Sequence, residues 1–143
     1  MPQRKLPEAF WSIHSDGAAK GNPGPAGAGW LIRDGQGRVL SRQFQYLGLG
    51  TNNEAEYRAL IGALEEALAL GGQAVTVYSD SELLVRQLNG EYRVRSLHLK
   101  DFFNRAQDLL RRFQEYVILH VPREQNREAD LLANQAVKTH NRN

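Results

Sequence analysis

The chain contains no cysteine among its 143 residues, and this absence excludes the most. Disulfides, thiolate metal sites and cysteine nucleophiles are all ruled out. Freedom from disulfides suits a reducing compartment, and a cytoplasmic location is the expectation. Long apolar runs are also missing, so the expectation is a chain with no membrane partner. The start, Met1-Pro2-Gln3-Arg4-Lys5-Leu6-Pro7-Glu8, lacks the apolar stretch of a signal peptide. There is no large excess of charge of one sign. The net charge of +2 leans only weakly towards an anionic partner and says nothing about fold. No repeat or low-complexity segment interrupts the chain. With 41% hydrophobic and 24% charged residues it has the composition of one globular domain, expected as a monomer.

What is present centres on Ser15-Asp16-Gly17-Ala18-Ala19-Lys20-Gly21-Asn22-Pro23-Gly24-Pro25-Ala26-Gly27. The apolar runs on either side, Ala9–His14 and Trp30–Ile32, read as strands. The glycines and prolines between them read as a tight reversal, with Asp16 at the exit of the first strand. Backbone bare of side chains lets a large polyanion approach closely. A carboxylate beside such a polyanion repels it unless a cation lies between, so metal-assisted phosphate chemistry is the first hypothesis. A hairpin with an ordinary solvated Asp is the competing one. Nucleotide binding by a P-loop is disfavoured, because the stretch has no Gly-Lys-Ser/Thr ending and no helix follows it.

Residues 1–8 read as a loose lead-in, 9–137 as the folded domain and 138–143 as a loose tail. Strands are expected at Ala9–Ser15, Gly29–Arg33 and Arg38–Leu47, forming an antiparallel meander around the turn Asp34–Gly37. Tyr57, Leu60, Ile61, Leu64 and Leu68 then have helical spacing, stopped at Gly71-Gly72. Ala74–Tyr78 is a β-branched strand, and Ser79-Asp80-Ser81-Glu82 opens a helix ending at Asn89-Gly90. A polar connection leads to a helix over Leu97–Glu115, a strand over Tyr116–Val121 and a last helix from about Asn126. The order is βββαβααβα. The fold class is α/β: an antiparallel meander extended by parallel strands four and five.

Asp16, Glu54, Glu56, Asp80 and Asp130 all sit at strand ends or helix starts, which gather on one edge of a mixed sheet. Converging carboxylates persist only with bound cations or raised pKa values. Oxygen-only ligands favour a hard ion, Mg²⁺ or Mn²⁺. Two such ions can stabilise both the attacking and the leaving oxygen of a phosphodiester cleavage. Local structure competes for each acid. Thr51-x-x-Glu54 and Ser79-x-x-Glu82 both read as capping boxes, and Asn53 with Glu56 offers a similar cap. Asp80 and Asp130 suit helix N-termini on charge alone. The Thr51 box tilts the choice towards Glu56 rather than Glu54 as the functional acid.

Four motifs carry a resemblance. Ser15-Asp16-Gly17-Ala18 with Gly21-Asn22-Pro23-Gly24, Thr51-Asn52-Asn53-Glu54-Ala55-Glu56-Tyr57, Ser79-Asp80-Ser81 and Arg123-Glu124-Gln125-Asn126-Arg127-Glu128-Ala129-Asp130 resemble, in order, the type 1 ribonuclease H pattern. The match runs from about Phe10 to Val137. It implies an RNase H-like fold, a five-stranded mixed sheet flanked by helices. It implies an endonuclease cutting the RNA strand of an RNA–DNA hybrid without sequence specificity, using two divalent ions. The acids carried over are Asp16, Glu56, Asp80 and Asp130. Gly17 and Asn22 are implied along the RNA minor groove, Asn52 and Asn53 near the scissile site, and Thr51 at a DNA phosphate. Ser96 stands where many relatives place an Asn in that phosphate pocket. A relative accepting double-stranded RNA and a catalytically silent hybrid-binding module are the alternatives.

Two departures stand out. Many relatives carry a His in the loop before the last helix, whereas Pro122–Gln125 has none. His120 has the right separation from Asp130 but falls in the expected strand, as an ordinary strand histidine. Arg123 is the better-placed cation to meet phosphate. Many relatives also insert a basic helix and loop after the Asp80 helix. Here Gly90–Arg95 leads straight on, and Arg93, Arg95 and Lys100 replace part of that grip.

Overall fold

A computed structural model describes residues 10–141. The lead-in expected over residues 1–8, like Ala9 and residues 142–143, lies outside the described residues. The elements are β1 (Phe10–Ala19), β2 (Gly24–Arg33), β3 (Val39–Gly50), α1 (Asn52–Ala69), β4 (Ala74–Ser79), α2 (Glu82–Leu88), α3 (Leu97–Leu110), β5 (Glu115–His120), a 3-10 turn (Arg123–Gln125) and α4 (Arg127–Asn141). The five strands form one sheet in the order β3-β2-β1-β4-β5. β1 pairs antiparallel with β2, and β2 with β3. β1 pairs parallel with β4, and β4 with β5. This is the mixed α/β sheet and element order expected from the sequence. No helix of the described residues is long and apolar enough to cross a membrane.

The core lies between the sheet and α1, α2 and α3. Ile13, Ile32, Val75, Val77 and Ile118 meet Tyr57, Leu60, Leu64, Leu84 and Leu110, all buried. α4 packs on the opposite face, mainly against β2 and β1. Tyr57 Oη donates to Gln87 Oε1 at 2.5 Å in this core, joining α1 to α2.

Several boundaries differ from the sequence reading. β1 runs on to Ala19 and β2 starts at Gly24, so Asp16 lies within a strand, opposite Gly29. The glycine-rich stretch is therefore mostly strand, and its reversal is confined to residues 20–23. Gly17 and Gly27 in the stretch, and Gly29 just after it, serve close packing. A Cβ at Gly29 would sit 2.5 Å from the Ala133 nitrogen and 2.6 Å from the Ala129 oxygen of α4. A Cβ at Gly17 would overlap the backbone of Ala55 and Glu56 in α1. β3 extends past Leu47 to Gly50, held by pairing with Gly24 and Pro25. α3 ends at Leu110 rather than Glu115, because the Gln114 amide hooks onto the Gln73 carbonyl at 2.8 Å and Glu115 joins β5. Residues 138–141, expected in the loose tail, form the last turn of α4, where His140 stacks on Tyr46 with ring centroids 3.6 Å apart.

Gly29→Ala is expected to lower stability by about 1–3 kcal/mol, the usual cost of forcing a methyl group into packed backbone. The urea midpoint measures this, and an unchanged midpoint contradicts the close packing of α4 on β2.

Candidate active site

The site is built where β4 stops short. β1 pairs with β4 only as far as His14, so the next stretch of β1 loses its parallel neighbour. Buried backbone groups need partners, and two side chains supply them. Asn126 Nδ2 donates to the Ser15 carbonyl at 2.9 Å. The Gly17 amide donates to Glu56 Oε1 in a short, buried hydrogen bond. The acid between them, Asp16, is thus fixed on both sides.

Each carboxylate has its own scaffold. Asp16 and Glu56 are each only 6% exposed. Asp80 follows the last residue of β4 and is half-buried, with the Ser79 hydroxyl accepting from the Ser81 amide at 3.1 Å. Asp130 lies in the first turns of α4, where its amide donates to the Asn126 carbonyl at 3.1 Å and its carboxylate accepts from Asn134 Nδ2 at 3.2 Å. One oxygen from each of Asp16, Glu56 and Asp80 lies within 4.8 Å of the others. Asp130 is outside that triad but lines the same cleft of about 440 Å³, together with Gly17, Ala18, Asn52 and Arg123. Arg123, in the 3-10 turn, reaches to 3.7 Å from Asp130. His120 ends β5 exposed to solvent, and its charge acts to lower the pKa of Asp80.

The electrostatics follow from this crowding. Burial pushes the Asp16 carboxyl up, reinforced by the Glu56 charge beside it. Burial likewise raises Glu56, against the Gly17 amide that favours its ionised form. Burial and the Asp130 charge raise Asp80, with Arg123 opposing. An all-oxygen set of converging, desolvated carboxylates fits a hard divalent cation, which removes the mutual repulsion.

The capping readings resolve unequally. Thr51 caps α1 and Glu54 completes its box, as expected. The Asn53–Glu56 cap does not form, because Glu56 turns inward to Gly17. Ser79 does not cap α2 either. It ends β4, and Ser81 caps the helix by accepting from the Leu84 amide at 3.2 Å.

Among the expected substrate contacts, Gly17 and Asn52 line the cleft. Asn22 and Thr51 flank it, and the Asn22 side-chain oxygen accepts from the Asn52 amide at 3.0 Å. Asn53 is exposed on α1, and Ser96 is exposed as the cap of α3. Neither lines the cleft. The sequence reading assigned no role to Asn126, Asn134 or Tyr57. Asn126 carried a signal in retrospect, as a polar residue directly before a helix.

The fold and the carboxylate cluster together define an RNase H-like nuclease domain. A family profile described as reverse transcriptase-like matches residues 14–136. Ribonuclease HI of Halobacterium salinarum is 41% identical over 133 residues, covering 92% of this chain and 67% of that protein. The crystal structure of RNase H1 from that archaeon superposes with a TM-score of 0.89 at 40% identity, covering 91% of this chain and 98% of that one. LC11-RNase H1, solved in complex with an RNA/DNA hybrid, gives a TM-score of 0.86 at 42% identity, covering 91% and 98%. The bifunctional protein Rv2228c of Mycobacterium tuberculosis is 40% identical over 126 residues, but the chain spans only 35% of its length. The chain belongs to the type 1 ribonuclease H family and has the ribonuclease H catalytic domain.

The raised pKa values have a consequence for stability. A carboxyl whose folded pKa is raised adds stability that is full below its unfolded value, near 4, and is lost as pH rises through the folded value. Without divalent cations, the melting temperature is therefore expected to fall between about pH 5 and pH 8 more steeply than in Asp16→Asn. At pH 8 in chelator, the variant should be the more stable protein. Thermal melts across that range check this, and a variant no more stable than wild type contradicts it.

Proposed function

We propose that the chain is an endonuclease that hydrolyses the RNA strand of RNA–DNA hybrids without sequence specificity. The observation that carries this reading is the convergence of Asp16, Glu56 and Asp80 on the floor of a polar cleft. The solved hybrid complex of LC11-RNase H1 supports the choice of substrate. The chain's own residues then suggest the division of labour.

Asp16, Glu56 and Asp80 would hold divalent cations, Mg²⁺ in the first instance and Mn²⁺ as a substitute, with Asp130 completing the set from α4. A pair of such ions would stabilise the attacking and leaving oxygens of an in-line displacement. The Gly17–Ala19 backbone keeps the floor of the cleft low enough for a sugar–phosphate chain to approach. Asn52 lies at the wall, and Asn22, its oxygen taken by the Asn52 amide, offers its NH₂ to the substrate. Short polar groups of this kind suit the shallow minor groove of an A-like duplex, where 2′-hydroxyls mark the RNA strand. Contacts to sugar and phosphate carry little base information, hence the lack of sequence preference. Arg123 would exchange its long contact with Asp130 for a substrate or product phosphate, filling the place of the absent loop histidine. Thr51 and Ser96, outside the cleft, would meet the DNA strand.

Cleavage of labelled RNA–DNA hybrid beside double-stranded RNA, single-stranded RNA and DNA duplex tests the proposal. Metal-dependent cutting of the hybrid's RNA alone is expected. Asp80→Asn should lower kcat by roughly 10²–10³-fold or more, the scale of losing one preorganised electrostatic stabiliser. Arg123→Ala should lose about tenfold, the scale of one charge-assisted contact to a phosphate. Cutting of double-stranded RNA would widen the substrate and keep the site. Binding of hybrid without cutting would contradict the enzyme reading and leave a binding module.

A further inference from the structure

Glu54 does more than complete the cap of α1. Its amide donates to Thr51 Oγ1 at 3.2 Å and its Oε1 accepts from the Thr51 amide at 3.4 Å, the two bonds of the capping box. Its Oε2 lies 3.1 Å from His98 Nε2, in the first turn of α3. One half-buried carboxylate therefore joins the start of α1 to the start of α3. The His98 side chain is mostly exposed and stands edge-on to Phe102, with ring centroids 5.4 Å apart.

The need for such a tie is local. The fully buried residues of α3, Ala106, Leu109 and Leu110, all lie in its C-terminal half. The segment before it, from Asn89 to Ser96, has no regular structure, and only Val94 there is buried. Arg93, Arg95 and Ser96 thus sit on a stretch with little packing of its own. Among the described residues, the Glu54–His98 pair is the polar contact that sets this stretch against Thr51 and Asn52.

We propose that His98 is a positioning residue: through Glu54 it holds the Arg93–His98 segment in register with Thr51–Asn53, so that both grip one nucleic-acid strand outside the carboxylate cleft. This rests on the hybrid-cleavage reading. His98 touches no reacting atom, so its loss weakens binding of the substrate and leaves the chemical step alone.

Steady-state cleavage of an RNA–DNA hybrid by wild type, His98→Ala, Glu54→Gln and the double variant tests it, with hybrid affinity measured in chelator alongside. His98→Ala should raise KM and the hybrid dissociation constant about fivefold, the effect of one lost hydrogen bond, with kcat within twofold of wild type. The double variant should match the worse single variant, because both substitutions break one contact. His98→Gln, which keeps an N–H donor, should recover part of the loss. An unchanged KM, a fall in kcat at constant KM, or additive losses in the double variant overturns the proposal. Wild type that neither cuts nor binds hybrid overturns the functional reading itself, and is thereby distinguished from active wild type with indifferent variants.

Discussion

Everything at this site depends on how the unpaired edge of β1 is satisfied beyond His14. β4 ends beside it and turns away into α2, leaving Ser15 and Gly17 without a strand neighbour on that side. Asn126 claims the Ser15 carbonyl and Glu56 claims the Gly17 amide. A single backbone requirement thereby draws α4 and α1 onto the same three residues, and the middle one is Asp16. The missing side chain at Gly17 makes the approach of α1 possible, since any Cβ there overlaps the helix backbone. The position of the acids is thus a result of backbone satisfaction and close packing as much as of their own chemistry.

The arrangement works against the stability of the metal-free protein. Three carboxylates share a small volume, two of them nearly excluded from water, and burial opposes their ionisation. The fold tolerates this because the strain is concentrated in a well-tied corner. Tyr57, next to Glu56, donates to buried Gln87 of α2, and so joins the helix that carries Glu56 to the helix that follows Asp80. Asn134 holds Asp130 in the same way from one turn further along α4. Arg123 is the cation that lines the cleft, at a distance long enough to be displaced. Repulsion stored in a rigid frame is what a cation site requires, because binding then relieves energy without moving the scaffold.

The sequence made some of this legible and hid the rest for definite reasons. The Thr51–Glu54 box could be read because it spans one helical turn, and the helix periods of α1 and α4 were plain for the same reason. The Thr51 box tilted the choice from Glu54 to Glu56 without settling it, since the partner of Glu56, Gly17, is 39 residues away. Ser79-x-x-Glu82 misled because Ser79 and Ser81 stand near the same turn, and only β4 pairing decides which of them is the cap. The start of β2 was missed because glycines and prolines signal turns locally, whereas here Gly17 and Gly27 serve the approach of two helices and only Gly21 and Gly24 shape the reversal. The end of α3 and the last turn of α4 were set by the Gln114 hook to Gln73 and by the Tyr46–His140 stack, both contacts between distant segments. The four motif acids were identified by resemblance. The triad geometry and the Glu54–His98 tie emerged only from the fold.

The most direct measurement is a crystal soaked in Mn²⁺, with anomalous scattering recorded to locate the ion. Strong anomalous density among the Asp16, Glu56 and Asp80 carboxylates, with the Gly17–Glu56 contact intact, is the expected result. Density elsewhere, or none at saturating Mn²⁺, would contradict a corner of the fold built to hold a cation.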